Sequence, residues 1–311
     1  MTFLAQENDG TARASDGSTK LASTAVLVVG VVRNCAAQVR SDVLRLKAAL
    51  TPFRNVHWLL VESDSDDDST TRLAELADEV DHFRFLSLGS LRSQMPLRTE
   101  RIAHCRNAYL NEIRTNAAYK QIDFVIIADF DGVNRLITDE AVLTCWERND
   151  WDVCTANQRG PYYDVWALRH RDWSPNDCWS QYAFLQRNVG KRLALFAAVY
   201  SRMITISEDS DWIEVESAFG GFAIYRRHAL EEAAYVGLQD DGRAVCEHVT
   251  FHSQLRARHC RIFINPKLIN AAYTEHSERI LFLRIKARVD GVVKSLRSWL
   301  RPIRNAFPRA R

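Results

Sequence analysis

Two aspartates, Asp129 and Asp131, stand one residue apart at the end of the apolar run Phe124 to Ala128. Alternate side chains of an extended chain share a face, so both carboxylates point the same way. Carboxylates converging on one point repel unless a cation lies between them. A hard ion such as Mg2+ or Mn2+ accepts these oxygens and keeps positions open for phosphate oxygens. There it would neutralise charge on a departing nucleotide diphosphate as a Lewis acid. A solvated acidic turn is the competing reading, and the apolar strand delivering the pair tips the balance toward metal.

Other groups with chemistry sit near the same kind of boundary. Glu62 and Asp64 open the acidic stretch after the run Val56 to Val61, where carboxylates can accept from ribose hydroxyls or a base N–H. Arg33 and Asn34 follow the run Ala25 to Val32 at the same expected edge. Arg106 and Asn107 lie on a helix feeding the D-x-D strand, where arginine can pair with a pyrophosphate and asparagine can read a base or ribose. Taken in isolation, Arg106 reads rather as a surface arginine. Tyr163, Asp164, Trp166 and Arg169 combine aromatic faces that stack on sugars with a carboxylate and a guanidinium that fix hydroxyls, or they form a buried aromatic loop. Gly220 and Gly221 would let the backbone approach a ligand, or make a tight turn. Glu247 is a candidate general base toward an acceptor hydroxyl, and Asp164 a second catalytic carboxylate. His248 is a substrate-binding candidate and His276 a further metal ligand; with His252, each has a structural role as its alternative.

These residues need a frame. Strand and helix alternate through residues 25–128: strands at Ala25 to Val32, Val56 to Val61, Phe83 to Leu86 and Phe124 to Ala128, and helices at Ser41 to Leu50, Thr70 to Val80 and Thr99 to Tyr119. That order predicts a parallel sheet covered on both faces. Ligands of such sheets bind beyond the carboxyl ends of the strands, so the acidic loop and D-x-D should share one crevice. Later strands are expected at Phe222 to Tyr225 and at Arg261 to Ile264, the latter closed by Asn265-Pro266.

With 311 residues and 47% hydrophobic content the chain can bury one large core. Residues 1–23 read as a disordered lead-in, 24–278 as the folded domain (a nucleotide-binding half to about 135, then an acceptor half) and 279–311 as a basic amphipathic tail. The net charge of +2 divides into +9 on the tail and −7 on the rest, which argues against nucleic-acid binding by the body. In the tail, Leu281, Ile285, Val289, Val292, Leu296 and Trp299 fall at helical spacing among basic residues, a pattern for lying in an anionic membrane interface. Packing on the acidic body is the alternative. Seven cysteines without C-x-x-C spacing indicate neither a disulfide framework nor a zinc site. No signal-peptide core and no apolar run of about 20 residues occur, so the expected location is cytoplasmic, at most peripheral to the inner membrane face.

Taken with the segments R-I-A-H-C-R-N-A-Y-L, D-F-D-G-V-N, Y-Y-D-V-W-A-L-R, F-G-G-F-A-I-Y-R, E-H-V-T-F-H and I-F-I-N-P-K-L-I-N, the sequence resembles GT-A glycosyltransferases, and more closely the cryptococcal capsule mannosyltransferase family and its bacterial relatives. The resemblance implies a GT-A α/β fold with a mostly parallel central sheet and a nucleotide-sugar donor (GDP-mannose or a UDP-sugar). It also implies a divalent metal at Asp129 and Asp131, and a carbohydrate or lipid-linked acceptor in polysaccharide or glycolipid assembly. Two other readings stand beside it. V-I-I-A-D-F-D-G-V matches the first motif of haloacid-dehalogenase-like phosphatases, with Asp129 as nucleophile, Asp131 as general acid and Asp240-Asp241 as the later acidic pair. A non-catalytic polysaccharide-binding or scaffold subunit is the other.

Overall fold

The structure is a computed structural model that describes residues 21–275 and 277. His276 and the tail 279–311 lie outside the described residues.

The apolar run Ala25–Val32 forms β1, flanked in parallel by β2 (Asn55–Glu62) and β4 (Phe124–Ala128), with β3 (Phe83–Ser87) beyond β2. Its side chains divide by alternation. Leu27 and Val29 face the core beneath helix α3 (Arg98–Thr115), with Tyr109, Leu110 and Ile113. Val26 and Val28 face the opposite core, with Val43 and Leu46 of α1 (Val39–Ala49) and Leu73 and Leu76 of α2 (Ser69–Glu79). A central strand buried on both faces requires an unbroken apolar run, which is how the sequence reads. Leu21, expected within the lead-in, is buried in the second core.

The sheet continues into the second half without a break. After α4 (Asp139–Leu143) come β5 (Val153–Gln158), a hairpin of α5 (Cys178–Val189) and α6 (Lys191–Ala198), β6 (Ile213–Val215), β7 (Phe222–Arg226), α7 (Glu247–Ala257) and β8 (Ile262–Ala271). The order across the eight strands is β3-β2-β1-β4-β7-β5-β8-β6. β7 runs antiparallel to β4 and β5, β8 parallel to β5, and β6 antiparallel to β8. The result is the expected α/β fold with a mostly parallel central sheet.

Two expected element bounds are corrected. The last strand does not close at Asn265-Pro266 but runs to Ala271. Pro266 is accommodated because the β5–β8 register shifts there, and Asn157 Nδ2 donates to Pro266 O at 2.9 Å. The long helix ends at Thr115 rather than Tyr119, where Asn116 leaves helical geometry and its side chain accepts from Ala118 N at 3.0 Å to start a 3-10 turn. β5 and the α5–α6 hairpin are additional elements of the second half. The seven cysteines are buried free thiols, and no helix among the described residues is long and apolar enough to cross a membrane.

Gly30 joins this frame to the D-x-D turn. A Cβ there would come within 2.5 Å of the Phe130 ring and 2.6 Å of Ala128 O. The residue between the two aspartates is thus wedged against β1, which turns the flanking carboxylates outward. Gly30→Ala should lower unfolding free energy by about 1–3 kcal/mol through overpacking, measured as a reduced urea midpoint with an unchanged slope.

Candidate active site

The carboxyl ends of β1, β2 and β4 open into a cavity of about 830 Å3. Arg33 reaches it from the end of β1, Asp64 from β2, and Asp129 and Asp131 from β4. The loop after β5 adds Tyr163, Asp164 and Trp166, and the first turn of α7 adds Glu247 and His248. Asp129 and Asp131 straddle the buried Phe130 and both line the cavity, as alternation requires.

A buried polar lattice fixes the first aspartate. Its backbone N donates to Gly221 O at 3.0 Å, and Asn134 Nδ2 donates to Asp129 O at 2.8 Å and Gly221 O at 3.1 Å. Asn270 Nδ2 donates in turn to Asn134 Oδ1 and Gly220 O, both at 2.8 Å, and Gln158 Nε2 donates to Asn270 Oδ1 at 3.1 Å. Every amide here bridges two chain segments, so β4, β5, β7 and β8 hold one turn together. On the other side Asp42 of α1, buried at 2% exposure, accepts from Gly132 N at 2.8 Å. Burial pushes the Asp42 carboxyl up, and the Gly132 amide and Arg45 pull it back.

Arg106 is the buried hub. Its Nε donates to Glu247 Oε1 at 3.0 Å, its Nη1 to Tyr109 Oη at 3.2 Å, and its Nη2 lies 3.7 Å from Asp129 Oδ1. The guanidinium also sits over the rings of Phe219 and Tyr235, at 5.4 and 5.5 Å from their centroids. Only 4% of its side chain is exposed. The expected pyrophosphate partner is therefore a positioning residue, committed to Glu247 and Asp129.

Asp129 feels two opposed influences. The packing around it, then the neighbouring Asp131, push its carboxyl up to about 8, against the pull of Arg106. Solvent still reaches 30% of the side chain, which tempers the rise. His248 stacks on Phe219 with ring centroids 3.9 Å apart, and neither of its ring nitrogens has a hydrogen-bond partner. Burial, then Arg106 and His252, hold its pKa well below the usual histidine value, so the ring is neutral. Both ring nitrogens are buried, so they are shielded from the cavity. Asp164 Oδ2 accepts from Gly220 N at 3.0 Å, which orients that carboxylate. The phenol of Tyr163 stays protonated, because burial and then Asp164, Asp129 and Asp131 raise it well above its usual value.

Several candidates serve structure instead. Glu62 accepts from Ser87 Oγ at 2.6 Å and Ser65 N at 3.0 Å, bracing the loop after β2. Asn34 ties the same loop, accepting from Asp66 N at 2.7 Å. Asp64 does line the cavity, but its Oδ1 accepts from Leu91 N and Arg92 N at 2.9 and 3.0 Å and its Oδ2 lies 3.4 Å from Arg101 Nε. Asn107 bridges the Tyr235 backbone, donating to its O and accepting from its N at 2.9 and 2.8 Å. Arg169 donates to Leu168 O at 2.7 Å and Asp177 Oδ2 at 3.0 Å, outside the cavity lining. The two glycines sit behind the cavity wall. Both have positive φ, 71° and 85°, and a Cβ would meet Gln158 Nε2 at 2.9 Å in one case and Tyr163 Oη at 2.8 Å in the other. They permit close packing beneath the site rather than contact with a ligand. His252 is structural, bonded to Ser217 Oγ at 2.9 Å and Tyr225 Oη at 2.8 Å.

No family model and no curated protein matches this sequence. Solved structures do. The chain is similar to the mannosyltransferase PcManGT from Pyrobaculum calidifontis in complex with GDP-Man and Mn2+, at 12% identity and a TM-score of 0.46, over 85% of this chain and 66% of that one. It is similar to glucosyl-3-phosphoglycerate synthase from Mycobacterium tuberculosis in complex with Mn2+, UDP and phosphoglyceric acid, at 14% identity and a TM-score of 0.39, over 86% and 73% of the two chains. S. aureus TarS shares 11% identity at a TM-score of 0.43, over 81% of this chain and 60% of that one. The chain thus spans less than two thirds of the first and third of these proteins. Likeness of this degree leaves donor and acceptor open.

The raised Asp129 carboxyl sets a pH dependence. Between the usual 3.8 and about 8, the unfolded chain has released a proton that the folded chain keeps. Stability then falls as pH rises through that window. With EDTA present, the urea midpoint should be lower at pH 8 than at about pH 5, and Asp129→Asn should remove part of that difference.

Proposed function

We propose that the chain is a metal-dependent glycosyltransferase that moves a hexose from a nucleotide-sugar donor, GDP-mannose or a UDP-sugar, to a carbohydrate or lipid-linked acceptor. The observation carrying this reading is that Asp129 and Asp131, crowded at one cavity wall, face a chamber that also holds Glu247, Asp164 and aromatic surfaces. The donor set fits a hard divalent ion: two neighbouring carboxylates, one of them raised by burial and then by the other, are an arrangement that Mg2+ or Mn2+ would relieve. When bound there, the ion would supply neutralisation of a departing diphosphate.

The protein's own residues would do the rest. Arg33, with 42% of its side chain exposed at the cavity rim, places a positive group near the donor phosphates. Trp166 and Tyr163 would offer faces to the sugar. Glu247, held by Arg106, would accept the proton of the acceptor hydroxyl, while Asp164 orients the sugar from the opposite segment. Membership in the capsule mannosyltransferase kinship, a role in polysaccharide or glycolipid assembly and a cytoplasmic, membrane-peripheral location belong to this proposal.

The phosphatase alternative loses its supporting residues. Asp240 and Asp241 lie in a surface turn bridged at Leu238 and Ala244, not in the cavity, and no lysine lines the cavity among the described residues.

GDP- and UDP-sugars, tested by thermal shift with and without Mn2+, should include one class that raises the midpoint only with metal, an effect lost in Asp131→Ala. Glu247→Gln should keep that shift and lower turnover about 10^2–10^4-fold. Absence of any metal-dependent shift, or a shift without donor turnover, would leave the scaffold reading in place of the enzyme.

A further inference from the structure

The α5–α6 hairpin is built against the usual logic of a surface helix. Cys178 is the one buried residue of α5, and Ala194 and Ala198 are those of α6. The large apolar side chains point the other way: Phe184 is 70% exposed, Leu193 64%, Phe196 52%, Trp179 45% and Val189 44%. Gly190, at φ 78°, turns one helix into the next. Isolated exposed leucines are ordinary, but five large apolar groups on one two-helix projection are an interaction surface.

Charge identifies the occupant. From Cys178 to Ile206 the chain carries Arg187, Lys191, Arg192 and Arg202 and no acid. Arg202 is consumed internally, donating to Ser174 Oγ and Asn176 O at 2.9 and 2.7 Å. The other three are exposed among the apolar groups. The acids bounding the segment are paired, Asp177 with Arg169 at 3.0 Å and Glu208 with Arg159 at 3.1 Å. A second copy of the chain would bring these cations against themselves in a two-fold contact. The chain's own tail, 279–311, carries the same sign. An anionic bilayer suits both features, because aromatic and aliphatic groups enter the headgroup boundary while Arg and Lys stay with lipid phosphates.

We propose that the α5–α6 hairpin docks the protein on an anionic lipid surface, independently of the basic tail. The hairpin also touches the cavity. Trp166 lines the cavity, donates from Nε1 to Asp177 Oδ2 at 2.9 Å at the start of α5, and packs on the small core formed by Val165, Cys178, Ala198, Val199 and Met203. A docked hairpin therefore brings the cavity wall close to the headgroups, where a lipid-linked acceptor would reach it. That last step rests on the glycosyltransferase reading; the docking itself does not.

The test uses the full-length protein with vesicles of phosphatidylcholine alone or mixed with phosphatidylglycerol, carrying brominated acyl chains. Tryptophan quenching is expected on the anionic vesicles, to be reduced in Trp179→Phe and retained in Trp299→Phe, which reports on the tail. A Phe184→Asp, Leu193→Asp, Phe196→Asp variant with an unchanged thermal midpoint should bind anionic vesicles about tenfold more weakly or worse. No vesicle binding by the wild type, quenching that follows Trp299 alone, or undiminished binding of the triple variant would overturn the proposal. So would a wild-type dimer in sedimentation that the triple variant abolishes. Metal-dependent donor binding without vesicles is read separately, so failure of docking and failure of the transferase reading remain distinct.

Discussion

The site depends on one buried cation. Arg106 comes from α3, Glu247 from α7 and Asp129 from the end of β4, and the guanidinium lies within 3.0 Å of one carboxylate and 3.7 Å of the other. No part of that arrangement is local in the chain. Removing the arginine would leave two acids facing each other in a chamber already crowded by Asp131 and Asp164, a situation that typically costs about 3–5 kcal/mol. The ring of Phe219 contacts both Arg106 and His248, which follows Glu247 in the first turn of α7. Arg106 therefore sets the orientation of the proposed base and offsets part of the negative charge at Asp129.

The second half of the sheet acts on the chemistry through backbone and amides. Gln158 on β5, Asn270 on β8 and Asn134 after the D-x-D turn form one buried chain of donors and acceptors that ends on the carbonyls of Asp129, Gly220 and Gly221. The amide nitrogens of all three are paired, which limits alternative arrangements, while Gln158 Oε1 is buried without a hydrogen-bond partner among the described residues. The helical hairpin between β5 and β6 contributes nothing to that lattice. It instead leaves a large apolar surface in solvent beside the cavity, a cost that a partner surface offsets.

The parallel half was legible because a fully buried strand must be continuously apolar, and runs such as Val26 to Val29 and Val125 to Ala128 allow no other reading once helices alternate with them. Asp129 and Asp131 were legible for the same reason. The surroundings of the other candidates were not legible, for another reason. Glu62, Asn34, Asn107 and Arg169 have the right chemistry at plausible positions, yet each satisfies nearby backbone or loop groups. A polar side chain bonds whatever donor or acceptor the fold places beside it, and spacing along the chain does not reveal that neighbour. β5 escaped notice because it reads V-C-T-A-N-Q, with buried Asn157 and Gln158 where an apolar pattern would be sought.

By itself the sequence determined the alternation of strands and helices, the outward direction of the two aspartates around Phe130, and the concentration of positive charge in the tail. Those follow from local rules: apolar continuity, the two-residue period of extended chain, and composition. Only the tertiary structure decided that Arg106 is buried between Glu247 and Asp129, that Gly220 and Gly221 support rather than contact a ligand, and that the apolar side of 178–198 faces outward. Each of these is set by which segments meet in space, and packing between residues tens of positions apart, or 141 for Arg106 and Glu247, leaves no periodic trace in the chain.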